Sequence, residues 1–348
     1  MRAVLVDAPN ESPLLTDAPE PELPPHGALI EVRATGVCRS DWHAWVGHDD
    51  TVSFPHVPGH EFAGVVRAVG ADVRAFSGGE RVTAPFCCGC GACSECQAGH
   101  QNLCLHEYQP GFDGWGSFAE LVMVPWADTN LVMLPEGLGF DLAASLGCRF
   151  TTAYAGLTAQ AALQPGENVV VYGCGGVGLS AVAVAAHMGA RVIAVDIEPG
   201  RLALARELGA ESVIDARSSD PVAATRDLTQ GGAHVSVDAL GSAGTAAQGV
   251  LSLRRRGRHL QLGLLLGDDS TPRIPLQAAI KHELRILGSH GMQARRYPEM
   301  LAFVERSGLP LEKLIGERRP LEDAGSVLAS MGSFAPTGVT ILMFGGAR

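Results

Sequence analysis

The sequence predicts an α/β protein of two domains, and three observations support this fold class. The chain has 348 residues, 46% of them hydrophobic, which is enough to fill the cores of two domains. Up to about residue 148, short apolar runs separated by Pro and Gly predict strands. From about residue 150, strands alternate with helices, and this alternation is typical of parallel βαβ units.

The predicted elements follow one another along the chain. The first region contains the strand-like runs AVLVDA, ALIEVRATGV, HEFAGVVRAVG and ERVTAPF. The second region contains the strands NVVVYG, RVIAVD, SVID, HVSVDAL and RHLQLGLL and the helices LSAVAVAAHMG and RLALARELGA. The C-terminal part adds the strands ELRILGS and VTILMF and the helix PEMLAFVERSG. This order predicts a β-rich region followed by a doubly wound parallel sheet.

Charge and composition exclude several classes of partner and location. The net charge of −11 argues against binding to nucleic acid or to an anionic membrane surface. The arginines of residues 254–258 are predicted to form an exposed turn before a strand. Asp7 and Pro9 interrupt the apolar run at the N-terminus, so we expect no signal peptide, and no apolar stretch is long enough for a transmembrane helix. We therefore expect a cytoplasmic protein whose nine cysteines stay reduced and available for metal.

Four cysteines form a compact metal-binding pattern, C-x2-C-x2-C-x7-C: Cys90, Cys93, Cys96 and Cys104. Four thiolates at this spacing can close a tetrahedron around Zn²⁺. An iron–sulfur run would have a last gap of three residues followed by Pro, but here the gap is seven and Leu105 follows. The same cysteines could instead form disulfides or stay as free thiols. A closed four-thiolate zinc site stabilises a lobe and performs no chemistry.

A glycine pattern in the second region predicts a dinucleotide site. Gly173, Gly175 and Gly178 form G-x-G-x-x-G between a predicted strand and a predicted helix. Asp196 ends the next strand, 18 residues beyond Gly178. The glycines allow the backbone to approach a pyrophosphate, and the helix N-terminus faces its charge. The alternative is a glycine-rich turn that binds nothing.

The acidic residue indicates NAD rather than NADP. A carboxylate at Asp196 would bind a ribose 2′-hydroxyl and repel a 2′-phosphate. Ile197 follows, with no adjacent arginine to bind a phosphate. Arg201 is the residue that could overturn this preference.

The remaining metal-competent residues are Cys38, the pair His60–Glu61, and Cys148. Two thiolates and one imidazole leave a fourth zinc position open, which is the arrangement of a catalytic zinc. Taken singly, Cys148 could be a small buried hydrophobic residue and His60 a core histidine.

Five motifs occur in one order: GVCRSDWH (36–43), PGHEFAGVV (58–66), the cysteine quartet, LGCRFTTAY (146–154) and YGCGGVG (172–178). In this order they resemble the zinc-dependent medium-chain alcohol dehydrogenases over nearly the whole chain. The resemblance implies a chaperonin-10-like catalytic domain of residues 1–149 and 286–348, and a Rossmann domain of residues 150–285 that binds NAD, with the active site in the cleft between them. It also implies two zinc ions per chain, an alcohol or carbonyl substrate, and a homodimer or homotetramer.

The resemblance assigns roles around the catalytic zinc. Cys38, His60 and Cys148 would be its ligands. Glu61 would be a nearby carboxylate that can approach the metal when water or substrate leaves. Asp41 would accept a hydrogen bond from His60 and so fix its tautomer.

The resemblance also implies a path for the substrate proton. Ser40 would take the hydroxyl proton, and His43 would pass it to solvent through the cofactor ribose; otherwise they are a loop serine and a surface histidine. The implied cofactor-binding residues are Thr152 near the nicotinamide and, around the fingerprint, Gly173, Gly175, Gly176, Val177, Gly178, Asp196 and Arg201.

The substrate is the least determined part of the prediction. The aromatic residues Trp42, Trp45, Phe54, Phe112 and Trp115 flank the motif loops and suggest an apolar pocket, although about half of them could be core packing. A neutral alcohol or carbonyl is favoured over charged substrates. Polyols and thiol adducts of formaldehyde are alternatives within the family, and a zinc-free reductase or a non-catalytic NAD(H)- or zinc-binding protein are alternatives outside it.

Five further residues have no assigned role. Cys87 and Cys88 directly precede the quartet, so either could replace one of its ligands. Cys174 occupies a variable position of the glycine pattern. For His48 and His56 we expect packing at the surface or at the rim of a pocket.

Overall fold

The chain folds into two units. The computed structural model describes residues 1–49, 51–332 and 337–345. Unit 1 comprises Met1–Cys148, Gly291–Ala302 and Ile315–Arg348, and unit 2 comprises Arg149–His290 and Phe303–Leu314. Residues 333–336 and 346–348, within the expected catalytic domain, lie outside the described residues.

In the described residues, each run predicted from the sequence overlaps a strand, but Leu14–Asp17, Leu121–Val124, Val132–Met133 and Ile315–Pro320 form strands that were not predicted. The strands are β1 (Arg2–Leu5), β2 (Leu14–Asp17), β3 (Ala28–Gly36), β4 (Glu61–Val69), β5 (Arg81–Thr83), β6 (Leu121–Val124), β7 (Val132–Met133), β8 (Asn168–Tyr172), β9 (Arg191–Asp196), β10 (Ser212–Asp215), β11 (Ala233–Asp238), β12 (Leu253–Gln261), β13 (Arg285–Gly288), β14 (Ile315–Pro320) and β15 (Val339–Met343).

The helices are mostly short. They are α1 (Arg39–Trp45), α2 (Ser94–Gln97), α3 (Ala127–Asn130), α4 (Phe140–Ser145), α5 (Arg149–Ala155), α6 (Gly176–His187), α7 (Pro199–Glu207), α8 (Pro221–Leu228), α9 (Ala243–Leu251), α10 (Leu276–His282), α11 (Tyr297–Ser307) and α12 (Ala324–Ser330). A π-helical segment, Gly156–Gln160, follows α5. Over the described part of the chain, no helix has both the length and the apolar character needed to cross a membrane.

Unit 1 is built on a mainly antiparallel sheet in the order β14-β15-β3-β4-β5-β7, with β6 paired to β3. Apolar side chains of β3 and β4, among them Ile30, Val32 and Phe62, are buried in its core. The antiparallel register sets Gly36, at the end of β3, opposite Glu61, at the start of β4. The segments that leave β3 and enter β4 are therefore brought to the same end of the sheet.

Unit 2 is a six-stranded parallel sheet in the order β10-β9-β8-β11-β12-β13. The interior strands are buried, as the unbroken apolar runs in their sequences predict. Numbered within the unit, the order is 3-2-1-4-5-6, that of a doubly wound dinucleotide-binding sheet. Its topological switch point lies between β8 and β11, so the glycine loop after β8 stands where such sheets bind their ligands.

The structural boundaries differ from those expected from the sequence. The expected boundary after residue 285 falls inside β13, whose parallel pairing with β12 makes it the last strand of the sheet of unit 2. The segment Phe303–Leu314 also belongs to unit 2, where the Phe303 ring lies 5.4 Å from that of Tyr154. The pairing of a short, exposed strand such as β13 is decided by tertiary contacts, which a local pattern does not contain.

The arginine-rich stretch lies within the bounds of β12 but interrupts its pairing with β11. Leu253 pairs with Ala233 and Arg258 with Val235, so residues 254–257 form a largely exposed irregularity before the regular part of the strand, and Arg256 has φ +61°. Arg254 donates to His234 Nε2 at 2.6 Å and Arg258 pairs with Glu167.

Candidate active site

The N-terminus of α1 organises the first group of predicted site residues. Cys38 is the residue that precedes the helix, and Asp41, three positions later, accepts a hydrogen bond from the Cys38 backbone N–H at 2.8 Å. This is a capping box, in which residues at the two positions satisfy each other's free backbone donors. The cap fixes both side chains at the end of β3.

Asp41 also holds His60. The Asp41 Oδ1 atom lies 2.9 Å from His60 Nδ1 and accepts the Gly59 N–H at 3.1 Å, and both side chains are fully buried. This contact assigns the proton to Nδ1 and directs the lone pair of Nε2 away from Asp41. Within the described residues, that buried Nε2 has no hydrogen-bond partner. An unsatisfied buried nitrogen of this kind fits a metal ligand.

The electrostatics of this position favour positive charge. Burial by itself lowers the pKa of His60, but the charge and hydrogen bond of Asp41, together with the nearby Cys38, outweigh it, so the pKa lies well above 6.5. The surroundings of the imidazole thus stabilise a cation, which is what a metal ion supplies.

Four donor side chains converge at this point. One ligand atom each from Cys38, His60, Glu61 and Cys148 lies within 4.8 Å of the others. The Cys148 backbone N–H donates to Glu61 Oε1 at 3.3 Å. Gly147 allows this approach, because a Cβ there would lie 2.8 Å from Glu61 Cβ. Two thiols, an imidazole and a carboxylate are a donor set suited to Zn²⁺.

Ser40 and His43 lie on the same helix as Asp41. Ser40 is partly exposed, and its Oγ atom is 3.9 Å from Cys38 Sγ. His43 is in the last turn of α1, and its Nδ1 atom is 3.0 Å from Nδ1 of His48. The pairing of the two histidines was not expected from the sequence.

Aromatic rings surround the His60 side chain. Phe112, expected from the sequence, has its ring 5.4 Å from the imidazole, and Phe86, which sequence reasoning missed, has its ring at 6.1 Å. Phe54 instead stands 6.0 Å from the ring of His56. The three expected tryptophans pack, partly buried, against a cluster of apolar residues in unit 1: Trp42, Trp45 and Trp115.

The cysteine quartet forms a second donor cluster. Sulfur atoms of Cys90 and Cys96 are 4.0 Å apart, and those of Cys93 and Cys104 are 3.7 Å apart. A tetrahedral zinc with Zn–S bonds of about 2.3 Å places its sulfurs roughly 3.8 Å apart. The four ligand atoms all lie within 4.8 Å of one another, so the quartet fits zinc.

Backbone hydrogen bonds and burial shift the pKa values of the quartet thiols in opposite directions. Backbone hydrogen bonds from Cys96 and Leu105 lower the pKa of Cys93 to about 6. Burial and hydrogen bonds to neighbouring thiols raise the pKa of Cys96 to about 12. Without a cation the four thiols therefore do not ionise together, and a divalent ion would allow all of them to do so.

The unassigned cysteines join neither cluster. Cys87 and Cys88 are fully buried, and burial raises the pKa of Cys87 to about 12 and that of Cys88 well above 9.0. Cys174 is fully buried too, with its sulfur 3.8 Å from the Val195 carbonyl. His56, expected at a surface or pocket rim, is only 2% exposed and forms backbone hydrogen bonds with Val6.

The glycine loop has the shape that phosphate binding requires. Gly173 has φ +87°, and a Cβ on Gly178 would lie 1.7 Å from the Gly173 carbonyl oxygen. A Cβ on Gly175, at the helix cap, would meet no atom within 4 Å, so this side of the loop is open. Gly176 is the first residue of α6 and packs on Arg149, because a Cβ added to it would lie 2.3 Å from Arg149 Cδ. Val177, the next residue, is partly exposed in the first turn of the helix.

Asp196 ties the loop to the end of β9. Its Oδ2 atom accepts the Cys174 N–H at 2.6 Å, and Oδ1 accepts the N–H of Ile197 at 2.7 Å. Burial and the charge of Asp196 raise the pKa of the Cys174 thiol, and the charge of Arg201, in α7, acts in the opposite direction. Thr152 is buried in α5.

Comparison with known proteins agrees with both units. The family described as "Alcohol dehydrogenase GroES-like domain" matches residues 24–136, and the family described as "Zinc-binding dehydrogenase" matches residues 176–306. The fold class predicted from the sequence, a chaperonin-10-like domain with a Rossmann domain, is confirmed by these matches and by the solved structures below.

Similar proteins extend along nearly the whole chain. An alcohol dehydrogenase of Geobacillus stearothermophilus is 31% identical over 95% of this chain and 96% of its own length. An L-threonine 3-dehydrogenase of Anaeromyxobacter sp. (strain Fw109-5) is 31% identical over 89% of this chain and 90% of its own. The structure of alcohol dehydrogenase TADH from Thermus sp. ATN1 superposes with a TM-score of 0.92 at 31% identity, covering 99% and 100% of the two chains. The chain therefore belongs to the zinc-dependent medium-chain alcohol dehydrogenase family, and it is an oxidoreductase.

Proposed function

We propose that this chain transfers a hydride between NAD(H) and a neutral, apolar alcohol or the corresponding aldehyde or ketone. The observation that carries the proposal is the cluster of Cys38, His60, Glu61 and Cys148, in which the buried Nε2 atom of His60 has no hydrogen-bond partner among the residues that the structure describes. We assign the catalytic zinc to this cluster and a structural zinc to the cysteine quartet.

The donor set explains what the chain contributes to catalysis. Zinc, when bound, supplies a Lewis acid that lowers the pKa of the substrate hydroxyl. Cys38 and Cys148 offset its charge, and Asp41 holds the His60 ring so that Nε2 faces the metal position. Glu61, within reach of the same position, offers a further carboxylate when substrate or water leaves.

Ser40 and His43 are proposed to carry the proton. Ser40 lies next to Cys38, so its hydroxyl can accept the proton of a substrate hydroxyl at the metal position. His43 lies one turn further along α1 and would receive the proton on its way to solvent. NAD supplies the hydride acceptor, and the residues of the chain supply position and proton transfer.

Two rings support an apolar substrate. Phe86 and Phe112 lie against the His60 imidazole, so the surroundings of the metal position include two apolar faces. An alcohol without charge fits such walls better than an ion, because an ion would lose hydration there without a paired charge. L-Threonine is the second candidate, since several relatives bear the name L-threonine 3-dehydrogenase; polyols and formaldehyde adducts are further members of the test panel.

We also propose the assembly and location of the enzyme. The edge strand β13 and helix α10 expose apolar side chains, with Ile280 75%, Leu276 60% and Ile286 43% exposed. A second copy of the chain would cover them, which supports a homodimer or a homotetramer built from such dimers. No disulfide joins any of the cysteines in the described residues, which supports a reducing, cytoplasmic location.

One assay tests the proposed reaction. Nicotinamide absorbance is followed with NAD and with NADP against primary, secondary and aromatic alcohols, polyols, L-threonine and glutathione-bound formaldehyde, with and without a zinc chelator. We expect turnover of apolar alcohols with NAD, abolished by the chelator. Turnover of L-threonine alone would identify L-threonine, and not an apolar alcohol, as the substrate. Absence of any turnover in protein that holds two zinc ions would contradict the proposed function.

A variant tests the preference for NAD. We expect Asp196→Ala to lower kcat/KM for NAD about 10- to 100-fold and to raise kcat/KM for NADP, because it removes the carboxylate proposed to bind the ribose hydroxyls. Asp215→Asn is the matched control, because Asp215 stands opposite Asp196 at the end of the adjacent strand. If the ratio of kcat/KM for NAD to kcat/KM for NADP is unchanged in Asp196→Ala, another residue determines the cofactor selectivity, and Arg201 is the next residue to change.

A further inference from the structure

A backbone motif fixes two histidines side by side at the end of α1. The His48 N–H donates to the His43 carbonyl at 2.9 Å, and the Gly47 N–H donates to the Ala44 carbonyl at 3.1 Å. Gly47 has φ +77°, the left-handed conformation that glycine adopts most easily. These bonds form a Schellman motif, which places His48, directly after the glycine, next to His43, four positions before the glycine.

The motif places the two rings in direct contact. Nδ1 of His43 is 3.0 Å from Nδ1 of His48, and the ring centroids are 5.3 Å apart. The edge of Trp42 packs on both rings, at 5.1 Å and 5.5 Å. At this distance one Nδ1 carries a proton and donates it, and the other accepts. The two rings therefore share one N–H between them.

The surroundings of the two rings differ. His43 is half-buried; burial, then His48 and Arg39, lower its pKa to about 4, and Cys38 and Asp49 act weakly in the opposite direction. Helix α12, which packs against α1, brings no ionisable side chain. His48 is exposed to water. A proton that reaches His43 is thus poorly held there and has one exposed ring within hydrogen-bond distance.

We propose that His48 takes the substrate proton from His43 and releases it to water. A proton arriving at Nε2 of His43 forms a new N–H bond there, while the Nδ1–H bond of His43 breaks and the proton joins Nδ1 of His48. The His48 imidazolium then loses its Nε2 proton to water or buffer. Because it acts through His43, His48 is a positioning residue, and this inference rests on the proton path given under the proposed function.

The test combines kinetics with a measurement that needs no turnover. In His48→Gln we expect kcat for alcohol oxidation in dilute buffer to fall about tenfold, and to be restored by high concentrations of imidazole buffer. Gly47→Ala, which keeps both histidines but strains the motif, should show the same buffer rescue. His26→Gln changes another exposed histidine and should leave kcat and its buffer dependence unchanged.

Ring ¹⁵N spectra of the unliganded protein give the independent readout. In His48→Gln we expect the His43 ring to titrate at higher pH than in the wild type, because the neighbouring His48 contributes to lowering the pKa of His43. A His43 titration that is the same in both proteins, or a kcat of His48→Gln that is unchanged at every buffer concentration, would overturn the proposal. Loss of activity in Ser40→Ala with an unchanged His48→Gln would refute only this inference, whereas an unchanged Ser40→Ala would refute the proton path itself.

Discussion

The two donor clusters of unit 1 are assembled in different ways. The quartet lies in one stretch of 15 residues, Cys90 to Cys104, and its backbone amides serve its own sulfurs, as the Cys90 N–H does for Cys104 Sγ at 3.2 Å. The other cluster, called the mixed cluster, consists of Cys38, His60, Glu61 and Cys148. It draws on three distant segments, which meet because β3 and β4 are paired in register and because Gly147 lets Cys148 approach Glu61.

The difference explains which cluster can perform chemistry. In the cysteine quartet, backbone N–H groups of the same stretch donate to the sulfur atoms, and four equivalent ligands would enclose an ion. The mixed cluster has unlike donors, a buried Asp41 that orients one of them, and two aromatic rings near the His60 imidazole. Stability and reactivity are thus assigned to separate sites, and variants in each should affect separate measurements.

The largest effect is expected for Cys38→Ala. Loss of one ligand should remove the catalytic zinc, lower kcat/KM at least about 10³-fold, and leave the unfolding temperature within a few degrees of the wild type. Zinc analysis should fall from two ions per chain to one.

A buried thiol outside both clusters provides the control for Cys38→Ala. Cys87→Ala removes a fully buried thiol but no proposed ligand, so it should retain two zinc ions and its activity. Near-wild-type turnover in Cys38→Ala would contradict the assignment of the catalytic zinc.

The converse result is expected for Cys93→Ala. Removing one thiolate should release the structural zinc and lower the free energy of unfolding by more than about 4 kcal/mol, because metal binding contributes directly to the stability of such a lobe. The kcat of the fraction that remains folded should stay close to wild type. A variant that kept its stability but lost turnover would reverse the roles given to the two clusters.

A smaller effect should follow from Asp41→Asn. The amide keeps the size of the side chain but loses the charge that holds His60, Cys38 and Gly59. We expect zinc affinity at the mixed cluster to fall about 10- to 100-fold, the usual consequence of changing a partner behind a metal ligand. Competition with a chromophoric chelator measures it, and equal affinity in the two proteins would remove Asp41 from the metal site.

The same contrast separates what could be predicted from the sequence. The quartet, the glycine loop and the alternation of strands and helices are local patterns, and each appears in the structure where it was expected. The contacts of Phe86 with His60 and of Gly147 with Glu61 depend on which strands pair, and no local pattern contains that information. The expected boundary after residue 285 differs from the division between the two units for the same reason.

The His43–His48 pair is an instructive exception. A glycine four residues after His43, followed directly by a second histidine, is a local pattern that predicts a Schellman motif at a helix end. The pairing was not predicted, because the spacing of apolar residues in a helix as short as α1 does not show where the helix ends. The rest of the proton path depends on tertiary contacts.

The smallest effects should come from the glycines that serve each cluster. Gly91 has φ +73° and an added Cβ would lie 2.7 Å from Thr129 Oγ1, so Gly91→Ala should cost about 1–2 kcal/mol of stability without affecting kcat. Gly147→Ala would press on Glu61 and should lower kcat about tenfold with little change in unfolding temperature. Thermal unfolding and steady-state kinetics on the two variants test this pair. If both variants lost stability and neither lost activity, the packing of Gly147 would serve only the fold, and the separation between a stabilising and a reactive cluster would have to rest on the ligands alone.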